Sequence, residues 1–169
     1  MNKIEDWKEK METIRLFYQE IDFIQDKYRI SDKQLLQFVS KTHYGKDMIP
    51  ASVFSGKKLS SFEAIVKYLR ENCNLNFREI GDLLHRSKFT IASSYRSAQV
   101  KDSEKFDIVF SEYVIPTIYI ANRKYSVLES IVLYLKQEYK LRFVEIAKIL
   151  NLNPRTIWTV YSRANRKQI

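Results

Sequence analysis

The chain is short of almost everything that builds β-rich, disulfide-stapled or metal-centred scaffolds. Its 169 residues include one cysteine, three glycines, three prolines and two histidines. A lone cysteine excludes an intramolecular disulfide and points to a reducing compartment. Cys73, in the segment Asn72-Cys73-Asn74, reads as a packing residue. Glycine and proline this scarce disfavour a sheet-rich or low-complexity chain, so the expected class is all-α. No Gly-rich phosphate loop, no nucleophile with a base at motif spacing and no Cys/His ligand set occurs. Catalytic residues, cofactors and metal ligands are therefore not expected, and His43 and His85 have no Cys, Asp or Glu partners at ligand spacing. No apolar run approaches the length of a membrane span. The mixed-sign opening MNKIEDWKEK is unlike a signal peptide, and a cytoplasmic protein is expected.

Positive charge is plentiful, with a formal net charge of +9, and its distribution is uneven. Residues 1–48 hold nine Lys/Arg and nine Asp/Glu, whereas residues 49–101 hold nine against four and residues 115–169 ten against three. The intervening 102–114 is acidic, with one against four. The excess thus lies on two segments, the electrostatic footprint of a binder of phosphate backbone.

Those two segments are copies of each other. A shift of 66 residues aligns Ile49–Lys101 with Ile115–Lys167 without a gap, with 19 of 53 positions identical. Each copy carries S-x-x-E before an apolar run, Ser60 to Glu63 and Ser126 to Glu129, a capping box that opens a helix. Phe62, Ile65, Val66 and Leu69, or Leu128, Ile131, Val132 and Leu135, then share one helical face. In the second copy Phe143, Ile146, Ala147, Ile149 and Leu150 predict a short helix. Asn151-Leu152-Asn153 interrupts it, with Asn153 as N-cap and Pro154 at the first position of a further helix. That last helix should bury Ile157, Val160 or Tyr161, and Ala164, leaving Arg155, Thr156, Thr159, Ser162, Arg163 and Arg166 outside. Two short helices across a tight turn, crossing at a small residue (Ala147, or Gly81 in the first copy), form a helix-turn-helix pattern. An exposed face of arginines and short hydroxyls suits a reader of the major groove. His85 and Asn151, equivalent residues in the turns, are suited to a left-handed backbone or to a phosphate contact. The first copy should be the less stable, since Gly81, Ala92 and Ser94 stand where the second has Ala147, Trp158 and Val160.

The expected organisation is therefore an N-terminal helical segment over 1–48, helix-turn-helix domains over 49–101 and 115–169, and a packed connector over 102–114 carrying Phe106, Ile108, Phe110 and Val114. Ile4, Trp7, Met11, Ile14, Tyr18, Ile21 and Tyr28 follow a 3–4 spacing along a long amphipathic helix. Residues 4–28 either pair with a second copy in a homodimer or fold back on the first repeat. Ser31-Asp32-Lys33-Gln34 opens a shorter helix through about Lys41.

Ser126-Val127-Leu128-Glu129 before an apolar helix, then F-x-E-I-A-x-x-L over 143–150 and T-I-W-x-x-Y-x-R-A-x-x-K over 156–167, resembles region 4 of bacterial sigma factors and related regulators. In that family the module is a helical DNA-binding domain whose last helix enters the major groove of a promoter. The resemblance implies base reading by Arg155, Thr156, Trp158, Thr159 and Arg163, and by Lys88, Phe89, Ala92, Ser93 and Arg96 in the first copy. It also makes RNA polymerase a candidate partner. The N-terminal 48 residues do not match the family's promoter-melting region, so a tandem regulator is implied rather than a complete sigma factor. Phosphate contacts are expected from Arg78, Lys101, Arg142, Arg166 and Lys167. The expected function is thus sequence-specific binding of double-stranded DNA in transcription regulation, without catalysis, in a nucleoid-associated protein. The alternatives are the DNA-targeting component of a recombinase or transposase, or a helical protein-interaction scaffold.

Overall fold

The computed structural model describes residues 3–35, 45–108 and 111–167, with side chains from residue 10 onward. The expected extension of a helix to Lys41, together with His43 and Phe110, lies outside these residues. The chain is mostly helical and divides into two compact units, Met1–Val39 and Ser40–Ile169.

In the first unit, helix α1 spans Lys3–Tyr28, 26 residues. At 1.5 Å per residue it is about 39 Å long. Met11, Ile14, Tyr18 and Tyr28 on its predicted seam are exposed, as are Leu16, Phe17, Phe23 and Ile24 beside it. Arg29 leaves the helix in the left-handed region, φ 52°. The capping box after it is formed: the Ser31 amide donates to Gln34 Oε1 at 2.9 Å and the Gln34 amide to Ser31 Oγ at 3.4 Å.

The second unit holds both repeats. Strand β1 (Met48–Pro50) leads through a 3-10 turn (Ala51–Phe54) to α2 (Ser61–Glu71), α3 (Phe77–Leu84) and α4 (Lys88–Lys101). Strand β2 (Val114–Pro116) leads through α5 (Thr117–Ala121) to α6 (Val127–Gln137), α7 (Phe143–Leu150) and α8 (Pro154–Arg166). Both serine capping boxes are present, with Ser60 and Ser126 accepting from the amides of Glu63 and Glu129, whose carboxylates return to the serine amides. Glu79 and Glu145 close the same loop at the starts of α3 and α7, on the amides of Asn76 and Arg142. These four carboxylates satisfy helix N-terminal amides that would otherwise lack partners. Asn153 caps α8 and Pro154 occupies its first turn, as the sequence predicts.

His85 and Asn151 both adopt the left-handed conformation, φ 53° and 51°. Each lets the following residue return to the helix: the Arg86 amide reaches Gly81 O at 2.8 Å, and the Leu152 amide reaches Ala147 O at 2.9 Å. These are Schellman-type endings. The two turns differ in tightness. A Cβ on Gly81 would lie 2.7 Å from the Arg86 carbonyl oxygen, whereas Ala147 is accommodated. Gly81→Ala, a helix-favouring exchange in isolation, should therefore cost about 1–3 kcal/mol through displaced backbone. A urea midpoint equal to or above the parent's would contradict this packing.

The two repeats are not separate small domains. β1 and β2 pair antiparallel with Met48 opposite Pro116, Ile49 opposite Ile115 and Pro50 opposite Val114. The pairing continues outward through Ala51 N to Tyr113 O and Thr117 N to Asp47 O, both 2.9 Å. The opening segments bridge the repeats: the 3-10 turn packs on α2 of its own repeat and on α7 of the second, and α5 packs on α6 of its own repeat and on α3 of the first. One apolar cluster results, running from Ile49, Ile65, Leu69, Ile80 and Ile91 through Ile115, Ile131, Leu135, Ile146 and Ile157. Each fully buried Ile or Leu contributes about 1.5–3 kcal/mol, so the shared cluster stabilises the unit by more than either three-helix bundle could supply with half of it. Between the repeats Phe106 and Ile108 pack against the core, and the Phe106 carbonyl accepts from Asn72 Nδ2 at 3.0 Å, whereas Val114 belongs to β2. Cys73 is half-buried in the same cluster, and burial raises its thiol pKa.

Candidate nucleic-acid interface

The last helix of each repeat is set on its frame by matching contacts. Phe77 and Tyr95 pack as tilted rings 5.5 Å apart between centroids, and Phe143 and Tyr161 at 5.2 Å. Lys101 at the end of α4 reaches Glu63 at 2.6 Å, and Lys167 after α8 reaches Glu129 at 2.7 Å. Ser97 adds a hydrogen bond to Glu63 at 2.5 Å. Burial alone would raise the Glu63 pKa, but the bonds from Lys101, Ser97 and Ser60 outweigh it and bring it down to about 2. Glu129 is lowered for the same reasons: burial opposes, while Lys167 and Ser126 prevail.

Helix α8 buries Ile157, Val160 and Ala164, so Val160 rather than Tyr161 takes the inner position. Arg155, Thr156, Thr159 and Arg163 line one open depression with Asn153 and Val160. Arg155, Thr156 and Arg163 are exposed and Thr159 half-exposed. The Thr159 hydroxyl donates to Arg155 O at 2.9 Å, leaving its oxygen lone pairs as acceptors. Trp158 is 57% exposed and stands beside the depression rather than in its lining. On α4 only Ile91 and Ala98 are buried, a thinner inner face than that of α8. Lys88, Phe89, Ser93 and Arg96 are exposed and Ala92 half-buried, on one side of the helix by their spacing. Phe89 in the first turn of α4 is 86% exposed. No carboxylate ion-pairs with Arg155, Arg163, Arg96 or Lys88 among the described residues.

The five expected phosphate contacts divide into two groups. Lys101 and Lys167 hold Glu63 and Glu129, and Arg142 holds Glu145 at 2.7 Å, so these three cations are already engaged within the fold. Arg78 and Arg166 are exposed, and Arg166 Nε donates to Ser162 O at 3.4 Å.

Other cations escaped the sequence reading. Arg86 and Lys57 line a cavity with the N-termini of α2 and α6, and the Arg86 guanidinium has its pKa lowered by burial and by the charge of Arg123. The available signal was the basic pair before each first helix, Lys57-Lys58 and Arg123-Lys124, which recurs at the same repeat position. Among the described residues no group of three or more His, Cys, Asp or Glu could hold a metal ion, and no helix is long and apolar enough to cross a membrane. Comparison with family models, curated proteins and solved structures returns no match.

Proposed function

We propose that the chain is a non-catalytic, sequence-specific binder of double-stranded DNA, a transcription regulator built from two helix-turn-helix modules. The observation that carries this reading is the surface formed by Arg155, Thr156, Thr159 and Arg163. It has two guanidinium groups free of carboxylate partners among the described residues, flanked by short hydroxyls, on a helix with its apolar side fully committed to the core. Guanidinium forks match the guanine edge and phosphate oxygens, and threonine permits close approach. Helix α4 offers a second, different surface with Lys88, Phe89, Ser93 and Arg96. Phosphate contacts fall to Arg78 and Arg166, with Lys101, Arg142 and Lys167 first holding the frame. The exposed seam of α1 supports pairing of two copies through residues 4–28.

Arg155→Ala should lower affinity for a preferred duplex by about 1–3 kcal/mol while leaving random duplex little changed. Arg166→Ala should weaken both alike and reduce the salt slope by about one unit. Anisotropy titrations on the two duplexes separate these effects. Equal losses on both for Arg155→Ala would remove base reading from α8.

A further inference from the structure

The ladder between β1 and β2 pairs Ile49 with Ile115, and these are the same position of the two repeats. Every other partner follows suit: Met48 faces Pro116 while Pro50 faces Val114, and Ala51 N to Tyr113 O is matched by Thr117 N to Asp47 O. An antiparallel ladder centred on equivalent residues has a local two-fold axis through that pair. The rest of the unit obeys it, since each opening segment packs on the other repeat's second helix. One cavity brings residues of both repeats together, among them the equivalent pairs Ser60 and Ser126, Phe62 and Leu128, and Arg86 and Leu152. Arg86 and Leu152 belong to the turns that immediately precede α4 and α8. The turns that lead into the two last helices thus both reach this cavity.

We infer that the target is an inverted but imperfect repeat on one duplex, with half-sites of opposite polarity and unlike sequence, one under α4 and the other under α8. This rests on the reading of the last helices as groove binders. A duplex has two-fold axes perpendicular to its length, and a two-fold frame seated on one of them meets the half-sites in opposite orientation, spaced by about 34 Å or a multiple. Two modules strung on a flexible tether would accept direct repeats equally well; bridging segments and a shared core forbid that freedom. Dissimilarity follows from the faces. Phe89, Ala92 and Ser97 of α4 occupy the positions of Arg155, Trp158 and Arg163 of α8. A perfect palindrome would therefore satisfy only one helix, and the bound chain has a defined direction on the DNA.

The test is selection from a random duplex pool with the intact chain, followed by rearrangement of the selected site. Selected sequences should contain two dissimilar half-sites in inverted orientation. Reversing one half-site to make a direct repeat, or inserting about 5 bp between the halves, should reduce affinity roughly a hundredfold, towards that of a single half-site. Arg163→Ala should alter base preference in one half only, and Phe89→Ala in the other. Equal affinity for direct and inverted arrangements, one half-site sufficing for full affinity, or two duplexes held per chain would each overturn the two-fold assignment while duplex binding stands. Failure to retain any duplex would overturn the groove-binding reading, and this inference with it.

Discussion

Replacing Lys67 with methionine should destabilise the second unit by about 3–5 kcal/mol, the cost of stripping one partner from a buried ion pair. The Lys67 side chain is wholly buried in the middle of α2 and its ammonium lies 2.8 Å from Glu71 Oε1. Phe106 of the connector covers it, with the ammonium 6.0 Å from the ring centroid. Glu71 also accepts from Tyr95 Oη at 3.1 Å and from Gln99 Nε2. Its Oε2 is buried without a hydrogen-bond partner among the described residues. Remove the ammonium and a carboxylate remains in a low-dielectric site with neutral donors only. The Tyr95 hydroxyl already reflects this setting: burial first, then the bond to Glu71, raises its pKa. The second repeat shows the other solution, with Leu133 at the position of Lys67 and Gln137 at that of Glu71. Lys67→Leu combined with Glu71→Gln should therefore fall within about 1 kcal/mol of the parent, although it changes two residues. Urea unfolding followed by far-ultraviolet circular dichroism decides the matter. A single Lys67→Met variant as stable as the double variant would show that the pair contributes nothing and that water reaches the site.

The second large effect concerns acid. Glu63 has its pKa held at about 2 against an ordinary 4.5, and its side chain is 10% exposed. A carboxylate lowered in the folded state contributes stability that is complete above its unfolded pKa and is lost as pH falls through the folded one. The contribution, reduced by solvent screening at the half-exposed Lys101, is about 1–3 kcal/mol, fully present at pH 7 and disappearing between roughly pH 4.5 and 2. Glu129 titrates in the same direction at the equivalent place in the second repeat. Glu63→Gln keeps a side chain able to cap the Ser60 amide and removes only the charge that Lys101 meets. It should lower stability at pH 7 by up to about 3 kcal/mol and make the acid limb shallower. Parent and variant curves that run parallel from pH 7 to pH 3 would contradict that assignment.

Much of the local architecture was legible in the sequence because it is written in short-range chemistry. Ser60 with Glu63, Ser126 with Glu129, and Asn153 before Pro154 act on backbone amides within one turn, so spacing alone reveals them. His85 and Asn151 sit where a helix must reverse, and both take the left-handed conformation. The bridging of the two repeats by their opening segments was not legible. β1 and β2 are three residues each and both contain proline, which has no amide to give a ladder, so nothing local announces that they pair. Two small three-helix domains joined by a connector were the expectation; the shared core across Ile49 and Ile115 replaces them. The engagement of Lys101 and Lys167 was hidden for a different reason. Their partners lie 38 residues away, and a basic residue at a helix end reads equally well as a phosphate contact. Lys67 was readable only by contrast, through a lysine and a glutamate in one copy facing a leucine and a glutamine in the other.

The proposal that these last helices lie in the grooves of duplex DNA meets its most direct test in titration of the intact chain against labelled mixed-sequence duplex at several salt concentrations. Binding should be present at low ionic strength and weaken steeply with salt, by about 0.9 in the logarithmic slope for each phosphate engaged. Absence of binding at modest ionic strength, or an affinity indifferent to salt, would contradict the account.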